Sequence, residues 1–220
     1  MTYALEARGF TITYPNAGQP VFPPLDLMVE PGETVALRGE SGAGKSSFLY
    51  AVCGLLPGGI PAQTGGELRL FGKNPAQCAR AELTRHVGMV FQNPETQLFC
   101  GTVALEVAFG LENCCVEPDS MRRRVREALE LAGLWERRAC APSQLSGGQK
   151  QLLALAAVLA LRPKLLLLDE AFSQLDSESA ARLFEALREL QSQGQTILFA
   201  DHDDARCAPY RNIWIGGAAP

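Results

Sequence analysis

The segment Gly39-Glu40-Ser41-Gly42-Ala43-Gly44-Lys45-Ser46 constrains this chain more than any other stretch. It fits the spacing GxxxxGK[ST], in the context the motif needs: Thr34 to Arg38 before it reads as a strand with Val35 and Leu37 as core positions, and a helix is expected to open at its end. Glycines let the backbone curl until successive N–H groups point inward at phosphate oxygens. The following helix adds the positive end of its dipole. Lys45 supplies a mobile point charge for β- and γ-phosphates, and the Ser46 hydroxyl a hard oxygen for Mg²⁺. Gly39 through Ser47 are therefore the candidate phosphate-binding residues, but the loop alone implies only a nucleotide.

The surrounding pattern alternates strand and helix. Residues 5–14, with Leu25 to Val29 and Glu67 to Gly72, read as strands broken by Pro15-Asn16-Ala17-Gly18, Pro23-Pro24 and Pro31-Gly32. A helix is expected after Asp119 or Ser120, either of which can cap it, ending at Gly133. Its Arg122, Arg123, Arg124 and Arg126 resemble a phosphate cluster but read as a solvated helix face. Further helices are expected near 149–161 and 177–192, strands at 165–168 and 196–200, and a last strand in 211–217. An uninterrupted apolar strand between helices implies a parallel sheet covered on both faces.

Composition narrows the class. At 220 residues the chain suits one large domain or two small ones. A net charge of −4 gives no support to nucleic-acid binding, and no nucleic-acid partner is expected. The N-terminus lacks the apolar core of a signal peptide, and the longest apolar runs are too short to span a bilayer. Seven cysteines, an odd number with no CxxC spacing, argue against a zinc site or disulfide framework and read as thiols in a reducing cytosol.

Residues 165–170 form a hydrophobic strand ending in two acids, an ending that burial alone would penalise. The carboxyl end of such a strand is where open parallel sheets place ligands. Asp169 fits a role in orienting Mg²⁺, and Glu170 that of a general base or positioner for an attacking water.

Leu145-Ser146-Gly147-Gly148-Gln149-Lys150-Gln151 then matches the ABC signature almost letter for letter, just before a helix, offering Ser146 and the Gly147 and Gly148 amides to an anion. With the other motifs in the same order, the sequence resembles an ABC transporter ATP-binding subunit from about residue 5 to about 205. The resemblance implies an α/β fold: a P-loop NTPase (RecA-like) core with a parallel sheet, an N-terminal antiparallel β-subdomain, and an inserted α-helical subdomain at about 93–162, all within one domain, 1–220. It implies ATP and Mg²⁺ as ligands and ATP hydrolysis as the activity. Gln92 then looks like the Q-loop glutamine, which senses Mg²⁺ and the membrane partner; Ser173-Gln174-Leu175-Asp176 looks like the D-loop; His202 resembles the switch histidine; and Tyr14 sits where the family stacks an aromatic on adenine. Gln174 departs from the small residue more usual in a D-loop.

Residues 92–99 followed by 102–113 look specifically like the energy-coupling-factor and cobalt/nickel importer branch. There the segment after the Q-loop lines a groove for helices of a membrane coupling subunit; Leu98, Phe99, Val103, Val107 and Phe109 are the candidate lining, unless they pack the helical subdomain internally. The expected partners are a second ABC ATPase, in a homodimer or heterodimer, a membrane coupling subunit and a substrate-binding membrane subunit. The expected location is the cytoplasmic face of the cell membrane, peripherally. Relatives often carry a C-terminal extension that aids dimerisation; with almost none here, pairing is expected to depend on ATP, a partner ATPase or the membrane subunit. The alternatives are another ABC importer or exporter, or a soluble ABC ATPase outside transport. A small-molecule kinase would not need the signature, and a GTPase should show NKxD, which is absent.

Overall fold

The computed structural model describes residues 2–173 and 175–216. Five strands form one parallel sheet: β3 (Thr34–Arg38), β5 (Val87–Val90), β6 (Leu165–Asp169), β7 (Thr196–Ala200) and β8 (Arg211–Trp214), in the order β5-β6-β7-β3-β8. β1 (Leu5–Thr13), β2 (Leu25–Val29) and β4 (Gln63–Leu70) form a separate antiparallel sheet in the order β2-β1-β4. The helices are α1 (Lys45–Val52), α2 (Arg80–His86), α3 (Val103–Asn113), α4 (Pro118–Leu131), α5 (Gly147–Ala160), α6 (Ser177–Ser192) and the short α7 (Asp204–Cys207).

Every residue of β6 and β7 is buried, as a central parallel strand requires. Period-two alternation divides their side chains between two cores. Leu165, Leu167, Leu198 and Leu37 face the antiparallel sheet and Phe48, Leu49 and Val52 of α1. Leu166, Leu168, Ile197 and Phe199 face the other way, onto α3, α4, α5 and α6. The sheet is thus a septum, with the antiparallel strands on one face and the long helices on the other.

Some boundaries differ from the sequence reading. α4 is capped by Glu117, whose carboxylate accepts from the Asp119 and Ser120 amides, rather than by Asp119 or Ser120; Pro118, with no N–H to leave unpaired, takes the first helical position. α5 begins at Gly147, two residues early, because Ser146 and Gln149 close a reciprocal capping box. β4 begins at Gln63, continuing its pairing with β1 past a register shift. β5 carried no strand assignment from sequence, since four residues including Gly88 are too few to show a period. Three of the four arginines of α4 form a solvated face, Arg122, Arg123 and Arg126 pairing with Asp119, Glu127 and Glu130 of their own helix, while Arg124 is half-buried with its Nε unpaired. No helix among the described residues is long and apolar enough to cross a membrane.

Candidate active site

Because all five strands of the large sheet run the same way, their carboxyl ends share one edge. In register, Leu37 of β3 and Asp169 of β6 both lie beside Ala200 of β7. The residues that follow must converge: Gly39 after β3, Gln92 after β5, Glu170 after β6 and His202 after β7.

The loop from Gly39 to Gly44 leads straight into α1. Gly39 and Gly44 both adopt positive φ (151° and 94°). A Cβ on Gly39 would stand 2.5 Å from the Ile215 carbonyl oxygen, and one on Gly44 2.6 Å from Val21, so the tight curl needs glycine at both places. Glu40, Ser41, Gly42 and Ala43 make the turn between, closed by Ala43 N–H donating to the Glu40 carbonyl (3.2 Å). Lys45 is buried and folds back over the loop, donating from Nζ to the carbonyls of Gly39 and Glu40 (both 3.0 Å). Ser46 donates its hydroxyl to Asp169 Oδ1 at 2.9 Å. Ser47 meets the hydroxyl of Tyr14 at 2.9 Å, which ties the end of β1 to the start of α1.

Glu170 is the hub of the polar groups. Its Oε2 accepts from Gln92 Nε2 (2.9 Å); its Oε1 lies 2.6 Å from His202 Nε2 and 3.5 Å from Lys45 Nζ. Its backbone is left-handed, with φ +47°, a conformation unfavourable for a side-chain-bearing residue and typical of strained sites. Burial raises the Asp169 carboxyl above the usual aspartate range; the Ser46 hydrogen bond opposes this, and the neighbouring Glu170 charge adds to it.

The donor set suits Mg²⁺ carried by a nucleotide. Ser46 and Asp169 put a hydroxyl and a carboxylate oxygen side by side, both hard ligands. Among the described residues no group of three or more His, Cys, Asp or Glu side chains could cage a metal. An ion held through one or two side chains plus phosphate oxygens is the usual Mg²⁺ arrangement.

Ser146, Gly147 and Gly148 lie at the cap and first turn of α5, packed against the start of α6: a Cβ on Gly148 would stand 2.3 Å from Ser179 Oγ. The Gly147 and Gly148 amides have no partner within the helix and remain available to an anion, whereas the Gln149 amide is taken by Ser146 Oγ. The concavity beside Ser146 is lined by residues such as Leu134, Asp176 and Arg182, and by none of the 39–47 loop. Of the D-loop, Gln174 lies outside the described residues; Asp176 caps α6, accepting from the Ser179 amide at 2.8 Å.

The apolar segment after Gln92 divides in two. Val103 and Val107, candidates for a docking groove, are fully buried with Leu111 in the helix-side core, so their place in the groove is corrected. Leu98 packs partly against the same core. Phe99 (67% exposed) and Phe109 (42%) face outward in a T-shaped contact with centroids 4.8 Å apart; Leu105, one helical turn before Phe109, is exposed as well and was not singled out by sequence. Buried Glu106 accepts from the Phe99 and Cys100 amides (2.9 and 2.6 Å) and so fixes the Phe99 loop.

Other supports also escaped the sequence reading. Gln151 of α5 donates to the Phe91 carbonyl (3.1 Å), and Gln97 bridges to Met89 and Phe91, so the loop carrying Gln92 is held from both sides. Gln151 falls within the signature stretch, which was the one signal for it.

A family model described as ABC transporter matches residues 22–173, and the chain belongs to that family. It is an ATP-binding, ATP-hydrolysing cassette coupled to transport. The chain is 41% identical over 200 residues to a putative ABC transporter ATP-binding protein of Pyrococcus abyssi, covering 90% of this chain and 71% of that protein. It is 36% identical over 206 residues to another from Saccharolobus solfataricus, spanning 94% of this chain but only 39% of that longer protein. Among solved structures it is similar to CbiO1 of Clostridium perfringens, described as part of the ABC transporter complex CbiONQ (TM-score 0.84, 28% identity, 98% of this chain and 86% of that one). It is equally similar to the ATP-binding cassette MJ0796, solved as a dimer bound to ADP and Pi (TM-score 0.84, 26% identity, 96% of this chain and 94% of that one). The α/β cassette fold expected from the sequence is the fold these structures share.

Proposed function

We propose that this cassette powers an importer of the energy-coupling-factor kind, driving uptake of a vitamin or a transition-metal ion through separate membrane subunits. The observation that carries this reading is the exposed Phe99–Leu105–Phe109 edge a few residues beyond Gln92, an apolar surface of the kind that receives a partner helix. The likeness to CbiO1, part of a CbiONQ complex, supports it. Residues 1–220 act as one cassette, with about 93–162 as its helical subdomain, working at the cytoplasmic face of the membrane.

Two cassettes face head to tail, the partner being a second copy or a related ATPase. Each nucleotide sits between one chain's Gly39–Ser47 loop and the other chain's Ser146, Gly147 and Gly148. Lys45 and the loop amides hold the phosphates, and Tyr14 flanks the base. Ser46 and Asp169, with Gln92, would hold Mg²⁺, which when bound would offset phosphate charge. Glu170 takes or orients the proton of the attacking water, and His202 fixes the γ-phosphate end. Gln92 joins this centre to the loop leading to Phe99, so closure around ATP reaches the membrane partner.

Affinity purification of the native complex, with identification of its membrane subunits, tests the reading. Recovery of a coupling subunit and a small substrate-binding membrane protein is expected. Recovery with a large exporter-type membrane protein, or with no membrane protein, overturns the importer assignment.

A further inference from the structure

Two loops must hold their relative position for Glu170 and His202 to stay 2.6 Å apart. The loop after β6 carries Glu170 and Phe172; the loop after β7 carries Asp201, His202 and Asp203. Arg206 of α7 touches both. Its Nε and Nη2 donate to Oδ2 and Oδ1 of Asp201 (2.6 and 2.9 Å), a two-pronged pair on a carboxylate only 5% exposed. Its Nη1 lies 3.0 Å from Asp203 Oδ2. The same guanidinium lies 5.2 Å from the centre of the Phe172 ring, itself buried. Asp201 also accepts the Asp203 amide at 2.9 Å, closing the turn around His202.

The His202 side chain is 47% exposed, so its own burial does not fix its direction. Its flanking residues do, and Arg206 grips them on both sides. A partly buried ion pair is a poor device for stability alone, because desolvation offsets most of its Coulomb gain. A planar fork does supply direction: two prongs set its plane and an aromatic face braces it.

We infer that Arg206 is a positioning residue for hydrolysis, locking the His202 turn to the Glu170 loop through Asp201, Asp203 and Phe172. The inference rests on the roles given above to Glu170 and His202. In this role Arg206 acts through Asp201, Asp203 and Phe172, setting the alignment of the groups assigned to the nucleotide and the water.

The test is steady-state ATPase kinetics of the full chain with its membrane complex, beside ATP affinity and melting temperature. The variants are R206M, R206K and D201N, with E170Q and H202A as references. R206M and D201N should lower kcat by about tenfold to a hundredfold, the cost of a misplacement near 1 Å, with KM and ATP affinity within about twofold. R206K should stay well below wild type, because an ammonium keeps the charge but cannot fork and stack together. Unchanged kcat in folded R206M or D201N overturns the proposal, as does full rescue by lysine or a parallel loss of kcat and ATP affinity. If R206M does not fold, D201N, close in shape to the native residue, decides the matter alone. Near-normal turnover in E170Q and H202A would sink the underlying site reading instead. Loss in those two with none in R206M and D201N would sink only the role of Arg206.

Discussion

Gln92 and Glu170 lie 78 residues apart in sequence, yet the side-chain amide of the first donates to the carboxylate of the second at 2.9 Å. The contact exists because β5 and β6 are adjacent and parallel, so the residues beyond their ends meet. Glu170 is simultaneously close to His202 and Lys45. In the proposed cycle Gln92, His202 and Lys45 would turn from Glu170 toward the bound nucleotide, leaving Glu170 to the attacking water, and the following outcomes are expected.

Lys45→Ala should weaken ATP binding by about 10- to 100-fold, the value of one or more charge-assisted hydrogen bonds. Titration calorimetry reads this directly. An unchanged affinity would remove Lys45 from phosphate binding.

Glu170→Gln keeps the size and the hydrogen-bonding reach of the side chain but removes the base. Turnover should fall by about a hundredfold or more while ATP still binds. Near-normal phosphate release by the variant in its full membrane complex would reassign the proton acceptor.

Hydrolysis should require two chains. Activity of the isolated chain should rise more steeply than linearly with concentration when dilute, since a γ-phosphate open to water on one face is poorly stabilised. Mixing Ser146→Arg with Lys45→Ala chains should restore at most one working site per pair, each variant alone being nearly dead. Specific activity that stays flat far below the dissociation constant would point to a self-contained site.

The exposed loop before α3 and the buried stripe of α3 should respond differently to substitution. Phe99→Ser should leave the melting temperature close to wild type but uncouple ATPase activity from the membrane subunit, because the ring is mostly exposed. Leu111→Ala, on the buried stripe, should cost about 2–5 kcal/mol in denaturant unfolding. A Phe99 variant that melts as low as the Leu111 variant would place the ring in the core and end the docking assignment.

Acid should expose the Asp201–Arg206 pair. Burial alone would raise the Asp201 carboxyl, but the hydrogen bonds from Arg206 and the Asp203 amide, with the Arg206 charge, outweigh it and hold the group below the usual aspartate range. A depressed carboxylate contributes stability that is present above its unfolded pKa, about 4, and lost as pH falls through the lower folded value. Melting temperature should therefore drop more steeply with acid in wild type than in R206M. Parallel curves would show that the pair has no linkage to folding.

The sequence by itself determined what is local. The Gly39–Ser46 loop, the acids ending β6, the signature before α5 and most strand limits depend on residue types at short spacing, where backbone freedom, apolar runs and capping leave few choices. It also showed that 98–109 is apolar, but not which residues are covered. Val103, Val107 and Leu111 recur at intervals of four and form one stripe of α3, while Leu105 and Phe109 form another. Hydropathy rates both alike; only the packing of α4 and α5 against the first stripe leaves the second exposed. The same holds for Tyr14 on Ser47, Gln151 on Phe91 and Arg206 across Asp201 and Phe172. Tertiary structure alone decided those, because each joins residues whose meeting depends on which elements pack together and in what register.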